Sequence, residues 1–391
     1  MVQSSVIQAL FGFALAAMFW PGLAGAAEPS RWCFLAVAVP ALLFFTTIRM
    51  TRAHWLLLGL CAWSALGLLW APVLDDALYG CFSLALCAGV FAIAVEVEEP
   101  IWFYRGLGAG LAISSGVAVL QRFGLEPVIA QFPGSGPNGL FVNPSILGES
   151  MVVGFVVLLA YREWWLAAAV LPGLLMSQQR SSLIALACCV TAMLWFKKRW
   201  LAPVMFLLLL AAALAPKTMV QTEGLIAAKN LMFESLAQRV DIWRDTISGL
   251  TIFGHGIGNF YAAFPYYAAR VAAEGGPSWV IATHAHNDIL EIAFELGVIG
   301  LVLTLALAWC IWRQAQAPER YGLAAVAITG LAGFPLHMPF TAAVAAYLAG
   351  VAVGARHRLC RDPLHSRLRL YEGRQSTDLE RPAMGGTAIP V

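Results

Sequence analysis

Apolar segments long enough to form helices, separated by short polar breaks, recur along nearly the whole chain and constrain its fold more than any other feature. Of the 391 residues, 60% are hydrophobic and only 12% are charged, whereas charged residues make up about 25% of a soluble domain. We therefore predict an all-α polytopic membrane protein. Several segments are shorter than the about 20 residues of a straight span, so the number of transmembrane helices is given as about 12. The segments lie near residues 5–26, 31–48, 53–71, 77–95, 102–121, 140–160, 163–177, 181–196, 200–215, 287–312, 320–335 and 338–354.

Basic residues are distributed unevenly over the polar breaks and predict which side of the membrane each break faces. With a cytoplasmic N-terminus, twelve Lys or Arg residues lie on the inner side and three on the short outer loops, which is the usual bias. Both termini are then cytoplasmic, and residues 355–391 are predicted to be a disordered tail. No Lys or Arg precedes the first apolar stretch, unlike in a signal peptide, so we interpret residues 5–26 as a span. The inner residues are Arg49, Arg52, Arg105, Arg162, Lys197, Lys198, Arg199, Arg313, Arg320, Arg356, Arg358 and Arg361, and the outer ones are Arg31, Arg122 and Arg180.

One polar break is much longer than the others. Residues 216–286 form a loop on the predicted outer, periplasmic side and contain the stretch NLMFESLAQRVDIWRDTISGL. Apolar residues recur in this stretch at helical spacing, which predicts an amphipathic helix lying on or near the membrane. The FGHGIGNF that follows is rich in turn residues, and without a preceding strand its glycines do not indicate a nucleotide site. The apolar positions are Met232, Leu236, Val240, Trp243, Ile247 and Leu250.

Two arginines on the predicted outer side are candidate anion-binding residues. Arg180 lies near the N-terminal end of an apolar helix, where its charge opposes the helix dipole. An anion bound by both the guanidinium and the helix end would resolve that conflict, although such an arginine can also extend to lipid phosphates. Arg239 has no acidic residue at the neighbouring helical positions, whereas Arg244 follows Asp241 by three residues. Arg239 is therefore free to bind a ligand anion, or it is an ordinary solvated charge.

The stretch THAHNDILEIAFELG concentrates polar chemistry at the start of an apolar helix. His286 is expected in the first helical turn, where the positive helix end would lower its pKa and keep the imidazole neutral and able to act as a base. Asn287, Glu291 and Glu295 share one helical face, as the members of a functional site or an internal polar network would. His284 is expected to face elsewhere, which disfavours a two-histidine metal site. We therefore predict no metal.

Two other patterns have structural interpretations of their own. Asn143 precedes Pro144 at the start of an apolar helix, which is typical of a helix cap. Asn143 is also a candidate member of the supporting polar network, and Glu149 follows in the second turn of the same helix. Gly297 and Gly300 indicate close packing between helices.

In their order along the chain, these stretches resemble the bacterial O-antigen ligases and the related O-antigen and exopolysaccharide polymerases. His286-Asn287, nine residues, and then Gly297-Val298-Ile299-Gly300 are similar to the family's His-(Asn/Ser/Gln)-x9-Gly-x-x-Gly signature. NPSILG, QQRSSLIAL, RVDIWRDTISGLTIFGHGIGNF and FPLHMPFTAAVAAYLAG also look similar in order and spacing. The resemblance covers residues 138–354, and residues 1–137 are a separate set of N-terminal transmembrane helices.

The resemblance implies a membrane glycosyltransferase of the GT-C type, acting at the periplasmic face of the bacterial inner membrane. Its donor would be a glycan on polyprenyl (undecaprenyl) diphosphate, and its acceptor a sugar hydroxyl of a lipid-linked glycan or of the lipid A core. It also implies contact with membrane lipids and a chain-length regulator, but not with nucleic acid. The family's two functional arginines correspond to Arg180 and Arg239, and its functional histidine to His286. The outer loop is short for the family's ligases, which slightly favours a polymerase.

Physical chemistry supports the same roles for these residues. A departing lipid diphosphate develops negative charge, which two arginines can bind through bidentate contacts, without a metal or another cofactor. His286 can take the proton of the acceptor hydroxyl, and attack in a single displacement would invert the anomeric centre. Two alternatives stay open. One is a transporter in which Glu149 and Glu295 relay protons, and the other is a non-catalytic assembly protein.

Overall fold

The computed structural model describes residues 4–19, 27–126, 136–214, 238–268 and 282–361. Within these ranges the chain forms α-helices, short 3-10 turns and loops, without a β-strand. Met232, Leu236 and residues 362–391 of the predicted tail lie outside the described residues. The helices are α1 (Ser5–Ala17), α2 (Ala27–Phe44), α3 (Arg52–Leu66), α4 (Leu74–Val95), α5 (Ile101–Arg122), α6 (Pro144–Ala160), α7 (Trp164–Ser177), α8 (Arg180–Lys197), α9 (Leu201–Leu214), α10 (238–248), α11 (Phe260–Ala263), α12 (Asp288–Trp312), α13 (Ala317–Gly330) and α14 (Pro339–Arg361).

Each apolar segment predicted from the sequence overlaps one of these helices. Five helices are long and apolar enough to cross a membrane: α3 with its 3-10 extension, α4, α5, α12 and the first part of α14. Helices α1, α6, α7, α8 and α9 are also apolar but shorter. The prediction of an all-helical membrane protein is thereby confirmed in its coarse form, and the number of about 12 spans stays a prediction.

The helices pack closely where small residues meet a neighbouring backbone. Helix α5 packs along α1, and α14 packs along α4. A side chain at Gly106 of α5 would overlap the carbonyl of Ala9 in α1, and one at Gly354 of α14 would overlap the carbonyl of Val95 in α4. Such small residues allow membrane helices to approach each other closely. Helix α6 lies inside this assembly, because most of its residues are buried.

Arg31 does not lie in an outer loop, as the orientation argument assumed. It lies within α2 and its side chain is fully buried. Its guanidinium donates hydrogen bonds to the carboxylate of Glu28 at 3.2 Å and to the carbonyls of Leu15 at 3.2 Å and Leu140 at 3.0 Å. Arg31 is therefore an internal structural charge. The predicted orientation then has two outer arginines, Arg122 and Arg180, in place of three.

The exposed side chains of helix α10 are both apolar and charged. Val240 and Ile247 are 42% and 55% exposed, and Asp241 and Arg244 are exposed as well, whereas Asp245 and Thr246 are buried. The indole N–H of Trp243 points inward and donates to the carbonyl of Ala285 at 2.9 Å. The apolar residues of α10 therefore do not form one uninterrupted face. The location on or near the membrane stays a prediction, and the helix itself is present.

Helix α12 is interrupted at Gly297, which has a φ of +69°. The carbonyls of residues 294–296 are thereby released from helical hydrogen bonding. The carbonyls of 294 and 295 accept hydrogen bonds from the backbone of residues 255 and 256 at 3.1 and 2.8 Å, and that of 296 accepts one from the Trp63 indole at 2.8 Å. The glycine-rich loop 251–256 thus packs against the interruption in α12.

The prediction that Gly297 and Gly300 pack against another helix is wrong. A side chain at Gly297 would overlap the backbone of residues 252–254, which belong to the loop and not to a helix. One at Gly300 would overlap Leu296 of the same helix, because the interruption brings Leu296 close. Only glycine adopts the positive φ at position 297 without strain, so the Gly-x-x-Gly spacing marks a broken helix.

Candidate functional site

His286 lies immediately before α12. The prediction that it lies in the first turn of this helix is wrong. The helix begins at Asp288, and Asn287 is its cap, because the side-chain oxygen of Asn287 accepts a hydrogen bond from the N–H of Leu290 at 3.1 Å. The amide of Asn287 also donates to the carbonyl of Leu331 at 3.2 Å. His286 itself has a φ of +53°, which is uncommon for a residue other than glycine. A backbone held in this region is often found at functional sites.

The imidazole of His286 is neutral at physiological pH. The pKa of His286 is lowered to about 4, mainly by burial and also by Arg239 and His284, while Glu291 acts in the opposite direction. The ring lies edge-on to Phe334, with 5.2 Å between the ring centroids. The predicted direction of the pKa shift is therefore correct, although its main cause is burial and not the helix end. A neutral imidazole can accept a proton.

Carboxylates of α12 and two histidines form a buried cluster beside His286. Nδ1 of His337 lies 2.9 Å from Asp288, and its Nε2 lies 3.4 Å from Glu291 and 3.9 Å from Glu295. Nδ1 of His284 lies 2.7 Å from the same oxygen of Glu291. Glu291 and Glu295 were expected to share a face, and the structure brings them to one histidine. Asp288 joins them, although it was not predicted as a member of this network.

His337 supplies the positive charge of this cluster. Burial alone would lower the pKa of His337, but Glu291, Asp288 and Glu295 raise it well above its usual value. The sequence analysis missed this residue, because it lies 49 positions from Asp288 and no periodicity connects the two. A signal did exist: the α12 face carries three carboxylates and no cation. Since such a buried face needs a compensating charge, the histidine of FPLHMPF was a candidate.

Arg239 in α10 contacts the loop that carries Phe334. Its Nη1 donates to the carbonyl of Ala332 at 3.0 Å. Burial lowers the pKa of Arg239 and Glu149 raises it, and the guanidinium stays charged. The structure thus brings Arg239 and His286 to the same loop. Arg244, on the same helix, lies 3.9 Å from Asp241 with both side chains exposed, which is the local pairing expected from the sequence.

Arg180 is the first residue of α8, as its position in the sequence predicted. Gln178, two residues before Arg180, has a left-handed backbone with a φ of +51°. The Nε of Arg180 is buried and has no hydrogen-bond partner within the described structure. The segment around it packs on α6: a side chain at Gly148 would lie 2.8 Å from the hydroxyl of Ser177 and 2.9 Å from that of Ser182. Among the described residues, Arg180 forms no hydrogen bond with Arg239 or His286.

Asn143 caps α6. Its side-chain oxygen accepts a hydrogen bond from the N–H of Ile146 at 3.0 Å, and Pro144 is the first helical residue. This is the structural interpretation offered from the sequence. Its membership in the supporting network stays a prediction.

His284, Glu291 and His337 are the described residues most suited to a metal. One donor atom from each lies within 4.8 Å of the other two, and two histidines with one glutamate form a known zinc ligand set. The same atoms already bond to one another, because Glu291 lies 2.7 Å from His284 and 3.4 Å from His337. Metal binding would have to replace these hydrogen bonds. His337 is a candidate ligand that the local sequence pattern around His284 and His286 does not contain.

Residues 164–305 match the family model described as O-Antigen ligase. The matched stretch begins with α7, contains Arg180, Arg239 and His286, and ends within α12. It confirms the resemblance to the O-antigen ligase and polymerase family over this part of the chain. Together with the apolar helices, it supports a membrane protein with glycan transfer of the ligase or polymerase type. A search of curated proteins found no match.

Proposed function

We propose that this protein transfers a glycan from a polyprenyl (undecaprenyl) diphosphate carrier to a sugar hydroxyl, at the periplasmic face of the bacterial inner membrane. The observation that carries the proposal is that one loop contacts both a neutral histidine and a guanidinium. The ring of Phe334 contacts His286, and the carbonyl of Ala332 contacts Arg239. A base beside a phosphate-binding cation is the pair that such a transfer requires.

The two arginines bind the diphosphate and stabilise it as it leaves. Arg239 uses Nη1 for Ala332, and its other N–H groups, which form no hydrogen bond within the described residues, are proposed to bind phosphate oxygens. Arg180 has a buried Nε without a partner in the described structure, and a buried donor of this kind normally has one. Bidentate contacts from planar guanidinium groups match phosphate geometry, so the step proceeds without a metal.

His286 acts as the base. As the acceptor oxygen forms a bond with the anomeric carbon, the bond from that carbon to the diphosphate oxygen breaks. The hydroxyl proton passes to the neutral imidazole, and the electron pair of the broken bond leaves with the diphosphate. Because one displacement occurs on the face opposite the leaving group, the anomeric configuration inverts. Asn287, Glu291 and Glu295 hold the start of α12 in place and therefore position His286.

A polymerase is favoured over a ligase as the specific activity. The outer loop, residues 216–286, is short for a ligase, and no feature is assigned to a lipid A core acceptor. Membrane lipids and a chain-length regulator are the further partners proposed. Transport is less well supported, because Glu295 accepts a hydrogen bond from the N–H of Phe260 at 3.0 Å and lies in a closed cluster.

The proposal is tested with purified protein in liposomes that contain a lipid-linked repeat unit. The expected product is a ladder of longer chains on the carrier, with the new bond inverted relative to the donor. Transfer of finished chains to lipid A core, without a ladder, would make the protein a ligase. If folded wild-type protein transfers glycan neither to the lipid-linked repeat unit nor to lipid A core, the proposal is contradicted.

A further inference from the structure

Glu149 is a buried carboxylate to which the proposed chemistry gives no role. It lies in the apolar helix α6 and is 2% exposed. A carboxylate inside a membrane helix is costly and usually has a specific function. Its carboxylate lies against the backbone of Gly333 and faces the N–H of Phe334, and Oε2 has no hydrogen-bond partner within the described structure.

Glu149 and Arg239 hold opposite ends of one short segment, residues 332–334. Arg239 donates to the carbonyl of Ala332 at 3.0 Å, and the carboxylate of Glu149 faces the N–H of Phe334. Between them, a side chain at Gly333 would overlap Oε1 of Glu149. The absence of a side chain at position 333 is therefore what allows the carboxylate to reach the backbone.

The same segment sets the place of the histidines. The ring of Phe334 stacks on His284, with 4.2 Å between the centroids, and lies edge-on to His286 at 5.2 Å. Phe334 is buried, so its ring has little room to move relative to the two histidines. A shift of the Phe334 backbone would therefore move the surroundings of His286 and the carbonyl that holds Arg239 together.

We propose that Glu149 is a positioning residue, which fixes segment 332–334 through the N–H of Phe334 and so sets the placement of the Arg239 guanidinium relative to the His286 imidazole. The proposal rests on the proposed function, which gives those two residues their roles. Glu149 contacts neither the donor nor the acceptor. What the site needs from it is an acceptor oxygen at this point, and displacement of reacting groups by about 1 Å can cost about a hundredfold in rate.

The first test separates the acceptor oxygen from its charge. Glu149→Gln keeps an oxygen for the N–H of Phe334, so we expect kcat within about threefold of wild type, whereas Glu149→Leu should lose about tenfold or more. Ser150→Ala is the matched control, because Ser150 is the buried neighbour on α6 and its hydroxyl has no partner within the described structure. Its kcat should not change.

The acid limb of the kcat/KM profile provides a readout that general destabilisation would not move. In wild type this limb follows the pKa of His286, which burial lowers to about 4 while Arg239, His284 and Glu291 act on it. In Glu149→Leu the imidazole becomes more exposed as Phe334 shifts, so the limb should move to higher pH. Equal loss in the Gln and Leu variants would overturn the proposal, and so would an unchanged limb in Glu149→Leu.

The second test measures the contact itself, without substrate. Gly333→Ala should lower the Tm of the purified protein by a few degrees, because the new methyl group overlaps Glu149. In a Glu149→Ala background the overlap is gone and only a 3.0 Å contact with the carbonyl of Thr329 remains, so the same change should cost much less. Additive Tm changes would contradict the proposed contact. If wild type shows no transfer while the changes are non-additive, the proposed function fails and the Glu149 contact stands.

Discussion

One buried arginine and two half-buried arginines differ in how completely the protein uses their donors. Arg31 donates from Nε, Nη1 and Nη2 to Leu15, Glu28 and Leu140. Arg239 donates from Nη1 to a single carbonyl, and the buried Nε of Arg180 has no partner in the described structure. An arginine whose three nitrogen atoms each donate to a partner within the fold connects parts of that fold. An arginine with N–H groups that are not bonded within the fold can bind the anion of a ligand.

The histidines repeat this contrast. His337 bonds to Asp288 and lies within 4 Å of two further carboxylates, so both its nitrogens are engaged and its charge is compensated. His286 has a ring contact with Phe334, and no hydrogen bond to its imidazole is found within the described ranges. His337 therefore stabilises the site, whereas His286 is left to react. Both residues are histidines, so residue type does not distinguish these roles. The number of hydrogen-bond partners of each imidazole does.

Replacing the unoccupied histidine should have the largest effect. His286→Ala should reduce transfer by about a hundredfold or more, since general-base catalysis contributes about 10² to 10⁴, and leave Tm unchanged. Turnover by the purified variant with lipid-linked donor provides the measurement. His284→Ala is the control and should be much milder, because His284 contacts Glu291 and Phe334 and not the reacting atoms. Activity of His286→Ala within a few-fold of wild type would rule out its role as a base.

Exchanging arginine for lysine should have opposite effects on stability and activity at Arg180 and at Arg31. Arg180→Lys should keep Tm and lose about tenfold or more in kcat/KM, which is about 1.4 kcal/mol or more of transition-state stabilisation, because lysine lacks the planar pair of donors. Arg31→Lys should instead lower Tm, because one ammonium cannot span the three partners of this fully buried guanidinium. A loss of Tm without loss of kcat/KM in Arg180→Lys would reverse the two assignments.

The compensated histidine should make stability depend on pH. Because its folded pKa is raised above the usual 6.5, His337 stabilises the fold fully below pH 6.5, and this contribution is lost as pH rises through the folded pKa. His286, with a pKa of about 4, has the opposite effect, between about pH 4 and 6.5. Tm should therefore fall from pH 6.5 upward in wild type, and this slope should be smaller in His337→Gln. The same slope in both proteins would contradict a charged His337.

Removal of divalent ions should have the smallest effect. Transfer by the purified protein is expected to continue in EDTA, because the arginines take the place of a metal at the diphosphate. If EDTA stops transfer and a divalent ion restores it, the metal-free mechanism is wrong. In that case the ligands to test are His284, Glu291 and His337, whose donor atoms lie together, in place of the pair His284 and His286.

The sequence predicted helices and the order of the candidate residues better than it predicted contacts. Apolar segments located the helices because apolar runs of this length fold in few other ways in lipid. Periodicity also placed Glu291 and Glu295 on one face. It could not supply His337, since a contact across 42 or more positions leaves no trace in a local pattern.

Two misassignments had the same physical origin. Gly297 was interpreted as a packing position and is a helix interruption that receives the loop 251–256. Arg31 was counted as a loop charge and is buried within α2. In both cases the decisive partner is backbone from a distant part of the chain. A composition-based argument does not detect backbone carbonyls and N–H groups as partners.

Two arginines on the same helix provide the most direct test of the central claim, that unused guanidinium donors bind the donor diphosphate. Arg239 is half-buried at the site, whereas Arg244 is exposed and lies near Asp241, so each can be changed to lysine under matched conditions. The measurement is kcat/KM for the lipid-linked donor in both variants. We expect Arg239→Lys to lose about tenfold or more, and Arg244→Lys to match wild type. Equal values for the two variants, whether both are reduced or both are normal, would contradict the account.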